Sequence, residues 1–175
     1  MPRVPAAAGQ SMKLYLAGPD LFRPDVQEWA ERVGALCRRE GHQALIPLDG
    51  TRTDAGDIYR NNLRLIDEAD VVLANLNPFR GSEPDSGTCV EIGYALAHGK
   101  PVIGYAETLV PLRDRLQAAG PGADGRYRDP AGWAVENFGL PLNLMLSVPV
   151  QLEQGGIEAA LRALDGIKPP PREVD

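Results

Sequence analysis

The chain has 175 residues, enough for one domain with a substantial core. Its 18 Lys and Arg against 24 Asp and Glu leave a net charge of −6 with no densely basic stretch, which argues against a nucleic-acid polymer as partner. The 2 cysteines (Cys37, Cys89) and 2 histidines (His42, His98) have neither zinc spacing nor a disulfide framework, which suits a reducing, cytoplasmic setting, and no apolar run approaches the about 18 residues of a membrane span.

Residues 1–11 (MPRVPAAAGQS) lack the apolar segment of a signal peptide and read as a flexible leader, with Met12 as an alternative start. Residues 12–167 read as one domain, and 168–175 as a flexible tail. The first strand is 13–17 (KLYLA), broken by Gly18-Pro19. Over 24–40, Val26, Trp29, Val33, Leu36 and Cys37 recur at helical spacing until Gly41. A second strand over 43–47 stops at Pro47, and 57–69 is helical with Tyr59, Leu63 and Ile66 on one face. Asp70 opens VVLANL, a β-branched strand followed by the Gly/Ser/Pro loop 77–87. A third helix is expected from Thr88 to about His98, then a strand over 102–106. Beyond it the pattern suggests a helix around 110–119, a mobile loop placed to cover the site, a helix within 140–147 started by Pro141, a strand near 148–152 and a last helix over 156–166.

This alternation predicts an α/β fold: one doubly wound domain with a mainly parallel five-stranded sheet and helices on both faces, flavodoxin- or Rossmann-like. Such sheets bind ligands beyond the carboxyl ends of their strands. Three loops leave those ends, at 18–23, 49–57 and 77–87, and the last leads directly to Asp85 and Glu91.

Spacing alone gives Glu91 two readings. Thr88-x-x-Glu91 ahead of an apolar run is a capping box, with Thr88 as the cap and Glu91 reaching back to its N–H. A carboxylate in a ligand cleft is also a chemical group. Gly18-Pro19-Asp20 lacks the dinucleotide glycine pattern and reads as a turn shaping the cleft, and no P-loop is present. Ser86 lies in a turn sequence and reads as a backbone-bonded hydroxyl. His98 suits the C-terminal helix dipole, and His42 reads as exposed. Cys89 reads as a small packed residue, and Asp70 as a turn residue. Asn61-Asn62 is a poor helical pair, so Asn62 either faces a polar ligand or is solvated. Tyr15 reads as core with its hydroxyl satisfied at the strand end. Asn143, between Leu142 and Leu144, needs a partner if buried, either a backbone group or a carboxylate across a subunit interface.

An ordered set of segments carries a resemblance. Tyr15-Leu-Ala-Gly-Pro19, Ile66-Asp-Glu-Ala-Asp-Val-Val-Leu-Ala74, Pro78-Phe-Arg-Gly-Ser-Glu-Pro-Asp-Ser-Gly-Thr88, Glu91-Ile-Gly-Tyr-Ala95, Gly99-Lys-Pro-Val102 and Leu142-Asn-Leu-Met145 together resemble the nucleoside 2-deoxyribosyltransferases. The resemblance implies transfer of 2-deoxyribose between nucleobases through a covalent intermediate, with no metal or cofactor. It implies Glu91 as the nucleophile on C1′, Asp85 as the group that binds and protonates the leaving base, and Tyr15 as the phenol that orients the nucleophile. Two nearby carboxyls would titrate as a coupled pair. It implies substrate contacts from Gly18, Phe22, Asn62, Gly87, Asn143 and Met145. The last two would be donated to a neighbouring subunit's site, so that a homodimer or larger homo-oligomer is needed. Deoxynucleosides and free nucleobases are the implied partners. Two departures stand out: Asn62 occupies a position where some relatives carry Asp, and a base-binding Gln of some relatives falls near Thr51.

Two other readings remain at this stage. A hydrolase of the same superfamily would use the same glutamate with water as acceptor, and Arg80 and Ser86 are available for a 5′-phosphate. A non-catalytic nucleotide-binding domain on the same fold is the reading from another class.

Overall fold

The computed structural model describes residues 11–48, 50 and 53–167, so the expected leader up to residue 10, the tail 168–175 and Thr51 lie outside the described residues. Strands β1 (Lys13–Ala17), β2 (Gln43–Leu45), β3 (Val71–Asn75), β4 (Val102–Ala106) and β7 (Gln151–Gln154) form one sheet in the order β2-β1-β3-β4-β7, every pair parallel. Parallel neighbours require crossovers, which helices α1 (Val26–Arg39), α2 (Ala55–Glu68), α3 (Ser86–Ala97) and the 107–150 region supply. The expected doubly wound α/β fold is therefore the one observed.

Strand alternation divides the core. On one face Leu14 and Leu16 pack with Trp29, Ala30, Val33 and Cys37 of α1 and with Ala160 and Leu161 of α6 (Ile157–Ala163). On the other, Tyr15 and Ala17 join Ile66 of α2 and Ile92 and Ala95 of α3. Each large apolar side chain buried this way contributes about 1.5–3 kcal/mol. In β4 glycine at 104 leaves room for Leu76, whose Cδ1 would lie 2.3 Å from a β-carbon there and would have to move. Asp70 locks the start of the sheet: its carboxylate accepts from Lys13 N at 2.7 Å and its own N–H donates to Lys13 O at 2.8 Å. That agrees with a structural role.

Several expected boundaries move. Helix α3 begins at Ser86, not Thr88, because Asp85 is its cap. The 110–119 helix shrinks to a single turn, α4 (Leu112–Arg115), and Gln117 beyond it has a left-handed φ of 53° that cannot continue a helix. The 140–147 helix is only α5 (Leu144–Ser147), because the side chain of Asn143 rather than Pro141 starts it. The last strand shifts to 151–154, and α6 ends at Ala163 in a 3₁₀ turn over Leu164–Gly166. Gly18-Pro19 opens a 3₁₀ turn, Pro19–Phe22. The segment expected to be a loop after 119 carries an antiparallel ribbon, β5 (Tyr127–Arg128) with β6 (Ala134–Val135), extended by an Ala119–Arg128 bridge. Two-residue strands are too short to leave a periodic pattern. His42 is half-buried rather than exposed: its Nδ1 accepts from Met12 N at 3.3 Å, and burial pushes its pKa below the usual histidine range.

Candidate active site

The order β2-β1-β3-β4-β7 places a topological switch between β1 and β3, where successive crossovers depart in opposite directions and a cleft opens at the carboxyl ends. Tyr15 comes from β1, and α3, entered from the loop after β3, brings Glu91 to it. The fully buried Tyr15 hydroxyl donates to Glu91 Oε1 at 2.6 Å. Asn62, on the inner side of α2, donates from Nδ2 to the same oxygen at 3.4 Å. Among the described residues Glu91 Oε2 accepts no hydrogen bond. Glu91 therefore does not fold back on Thr88, and the capping box does not form.

Burial raises the Glu91 carboxyl from 4.5 to about 7, against the hydrogen bonds from Tyr15 and Asn62, with Asp85 adding to the rise. Burial, reinforced by the adjacent Glu91 charge, holds the Tyr15 phenol far above its ordinary range, so it stays a donor. Asn62 Oδ1 is buried without a hydrogen-bond partner among the described residues. A buried orphan acceptor is uncommon and calls for a reason.

Asp85 takes the capping role expected of Thr88. Its Oδ2 accepts from Thr88 N at 3.0 Å and from Thr88 Oγ1 at 3.3 Å. Thr88 is 1% exposed, so its hydroxyl is held by this bond rather than by water. Among the described residues both carboxylates thus accept hydrogen bonds on one oxygen and leave the other unbonded. Gly87 belongs to this arrangement, since a β-carbon there would fall 3.0 Å from Asp85 Oδ2.

The rim is built from the first and third loops. A β-carbon at Gly18 would fall 2.8 Å from Asn75 Cβ, so glycine lets the first loop pass close over the end of β3. Asn75 Nδ2 donates to Asp20 at 2.7 Å, Asn75 Oδ1 accepts from Asn77 Nδ2 at 2.8 Å, and Asn77 Oδ1 accepts from Glu107 N at 2.9 Å. This chain of amides ties three strand ends together, and no sequence pattern announced it. Phe22 stacks on Phe79 with centroids 5.4 Å apart, and the Arg80 guanidinium lies 4.9 and 4.7 Å from the two ring centroids. A concavity of about 380 Å³ runs along residues 79–86; it reaches Asp85 but is not lined by Glu91.

Asn143 and Met145 are not brought to this cluster within one chain. No hydrogen bond links either to Tyr15, Asp85 or Glu91 among the described residues. Asn143 caps α5, with Oδ1 accepting from Met145 N at 3.0 Å, and Met145 is 71% exposed. Two charged residues that sequence reasoning passed over organise this region. Arg115 donates to the carbonyls of Ser82 and of Pro141, the latter at 3.1 Å, joining the Asp85 loop to the Asn143 segment. Glu136 accepts from Asn143 Nδ2 at 2.7 Å and from Leu144 N at 2.9 Å. Neither has a spacing signal, because both act on backbone or amide groups distant in sequence or outside any repeat. Among the described residues no group of three or more His, Cys, Asp or Glu could hold a metal ion, and no helix is long and apolar enough to cross a membrane.

Comparison with known proteins bears on the family and the fold. A profile of the nucleoside 2-deoxyribosyltransferase family matches residues 14–145. A solved 2-desoxiribosyltransferase from Leishmania mexicana superposes with a TM-score of 0.75 at 33% identity, covering 88% of this chain and 97% of that one. A putative 2′-deoxynucleoside 5′-phosphate N-hydrolase from Thermofilum pendens is 39% identical over 117 residues, 61% of this chain and 73% of that protein. An uncharacterized Schizosaccharomyces pombe protein is 29% identical over 165 residues, 81% of this chain and 78% of its own length. The chain therefore belongs to the nucleoside 2-deoxyribosyltransferase family, enzymes that act on the N-glycosidic bonds of nucleosides.

Proposed function

We propose that this protein exchanges the nucleobase of 2′-deoxynucleosides through a covalent deoxyribosyl–Glu91 intermediate. The observation that carries the reading is the state of the Glu91 carboxylate: Oε1 is held by Tyr15 at 2.6 Å and by Asn62, while Oε2 accepts no hydrogen bond among the described residues. That leaves one oriented oxygen to attack C1′. As the C1′–O bond forms, the C1′–N bond breaks with oxocarbenium character, and the Asp85 carboxyl supplies the proton that the departing base needs. A second base then attacks C1′ from the vacated side and returns its proton to Asp85. Two inversions give net retention. Asn62 Oδ1, buried and unpartnered, suits a hydroxyl or base N–H of the substrate, and the Phe22–Phe79 pair suits stacking beside it. Gly18 and Gly87 keep the rim open to the sugar.

The neighbouring-subunit reading belongs to the same proposal. Met145 on α5 and Val148 just after it are 71% and 72% exposed, and Val90 on α3 is 59% exposed, an apolar set suited to a second copy. Asn143 and Met145 would then complete that copy's site. Cys37 and Cys89 are free thiols, which suits a reducing, cytoplasmic setting.

One observation favours a second reading, hydrolysis of a deoxynucleoside 5′-phosphate. Arg80 and Ser86 line the concavity beside Asp85, where a cation and a hydroxyl could hold a phosphate. The similarity to the Thermofilum protein points the same way. One assay separates the readings: deoxynucleosides and their 5′-phosphates are incubated with and without a second free base, and products are resolved chromatographically. A new nucleoside that depends on the acceptor base supports transfer. Free base and sugar at a rate indifferent to the acceptor would replace it with hydrolysis, and no turnover of any of them would favour a binding domain.

A further inference from the structure

We propose that Glu136 is a positioning residue that fixes the orientation of the Asn143 side-chain amide for the site Asn143 serves. The inference rests on the reading of Asn143 as a substrate-binding residue. An asparagine amide is nearly symmetric in shape, so rotation about its last torsion exchanges donor and acceptor at little steric cost. Asn143 is not free to make that exchange. Its Oδ1 is used as the cap of α5, accepting from Met145 N at 3.0 Å, and its Nδ2 donates to Glu136 Oε1 at 2.7 Å. Glu136 Oε2 accepts at the same time from Leu144 N, at 2.9 Å. One carboxylate thus bridges the side chain of residue 143 and the backbone of residue 144.

A flipped amide would set its oxygen against this carboxylate and its NH₂ against the Met145 N–H, so two favourable contacts would become two repulsive ones. Glu136 follows directly on β6, paired to β5 with Tyr127 opposite Val135, so the bridge is anchored to the ribbon rather than to α5 itself. It makes no ion pair among the described residues. Its two partners are neutral N–H donors, and hydrogen bonds to a carboxylate are stronger than neutral ones. What remains for a substrate is one Nδ2 hydrogen and the second lone pair of Oδ1, each in a fixed place. The free Nδ2 hydrogen is suited to a sugar hydroxyl oxygen or to the nucleophilic carboxylate.

The test is a double-mutant cycle with a subunit-mixing arm. Glu136→Ala, Asn143→Ala and the double variant are assayed for base exchange or base release, after circular dichroism confirms folding. Each single variant is expected to lose about ten-fold in kcat/KM, and the double no more than the worse single, since a misoriented amide and a missing one fail alike. Losses that simply multiply, or a Glu136→Ala enzyme within about two-fold of the parent, would overturn the proposal. Glu136→Gln keeps the volume but turns an N–H₂ toward one of the two donors, so an intermediate loss is expected; parental activity in that variant would mean that bulk alone matters.

In co-expressed, differently tagged mixtures, Glu136→Ala with Glu91→Ala should regain activity, because an intact site forms from one Glu91 and the other chain's Asn143–Glu136 unit. Glu136→Ala with Asn143→Ala should not. If Asn143→Ala with Glu91→Ala also fails to regain activity, the shared-site reading falls, while the cycle still decides the role of Glu136.

Discussion

Tyr15 and Glu91 meet across 76 residues of sequence in the interior of the sheet, whereas Asn143 and Met145 stand on a four-residue helix at the surface. The first pair is held by the fold itself. Strand β1 cannot move without breaking ladders to β2 and β3, and α3 is pinned by Ile92 and Ala95 in the core. The second pair is held by individual polar contacts, from Glu136 and from Arg115, with little apolar burial beneath α5. On the proposed function, a site assembled from both would take its reacting groups from a rigid scaffold and its substrate contacts from an edge held by a few polar bonds. The contrast teaches that the core-held pair tolerates little displacement, while the surface pair stands where the chain can vary.

Substitutions can break or sharpen that contrast. The largest effect is expected from Glu91→Ala, which should lower base exchange by at least about 10⁴-fold in a chromatographic assay while the protein stays folded. Exchange persisting in that variant would remove Glu91 as nucleophile. Next comes Asp85→Asn. Asparagine caps a helix as well as aspartate does, so the thermal midpoint should hold while turnover falls by about 10²-fold or more. A fall in stability without loss of turnover would make Asp85 a cap and nothing else.

Tyr15→Phe should cost about ten-fold in kcat/KM. It removes one of the two hydrogen bonds that favour ionised Glu91, so the acid limb of the pH profile should move upward from its position near pH 7 in the parent. A limb that stays in place would dissociate Tyr15 from the Glu91 titration.

The same raised pKa has a stability consequence of known sign. Folding lifts the Glu91 carboxyl from 4.5 to about 7, so the folded state binds that proton more tightly than the unfolded chain. Its stabilising contribution is complete below the unfolded value and is lost as pH rises through the folded one. Glu91→Gln cannot ionise. It should therefore unfold in urea at the parent's midpoint near pH 4 and gain on the order of 3 kcal/mol over it at pH 8. A gap that narrows with rising pH would contradict the burial assigned to Glu91.

The smallest effect on folding is expected at the other end of the comparison. Met145, 71% exposed, should change unfolding free energy by less than about 0.5 kcal/mol on replacement by alanine. If α5 serves a neighbouring site, the same variant should weaken activity and shift self-association measured by light scattering. Unchanged activity and unchanged mass would detach α5 from the site.

Residues Leu14 to Ala17 and Val71 to Ala74 are apolar with little interruption, as strands covered on both faces must be, and this was enough to assign both to a parallel sheet, though not to make them neighbours in it. The ordered motifs named the family. They did not reveal that Asp85, not Thr88, caps α3, because Asp85, Ser86 and Thr88 within four residues offer three comparable caps and only the backbone geometry chooses. The ribbon at 127–135 was hidden for another reason: four paired residues carry no period. Asn62 was legible only as an oddity, a weak helix former whose purpose appeared once its Nδ2 was found facing Glu91.

The sequence by itself determined the order of elements, the parallel sheet and the cleft at its strand ends, since these follow from local periodicity and from the burial that parallel strands demand. The tertiary structure alone decided how each carboxylate is held. Glu91 was released from capping because the Tyr15 hydroxyl, 76 positions earlier, meets its carboxylate, and burial raised it toward neutrality against that bond. Glu136 took charge of Asn143 because a ribbon with no sequence signature delivers it there. Hydrogen-bond choice among equivalent donors and acceptors, and the desolvation of a charge, depend on distances that only the folded chain sets.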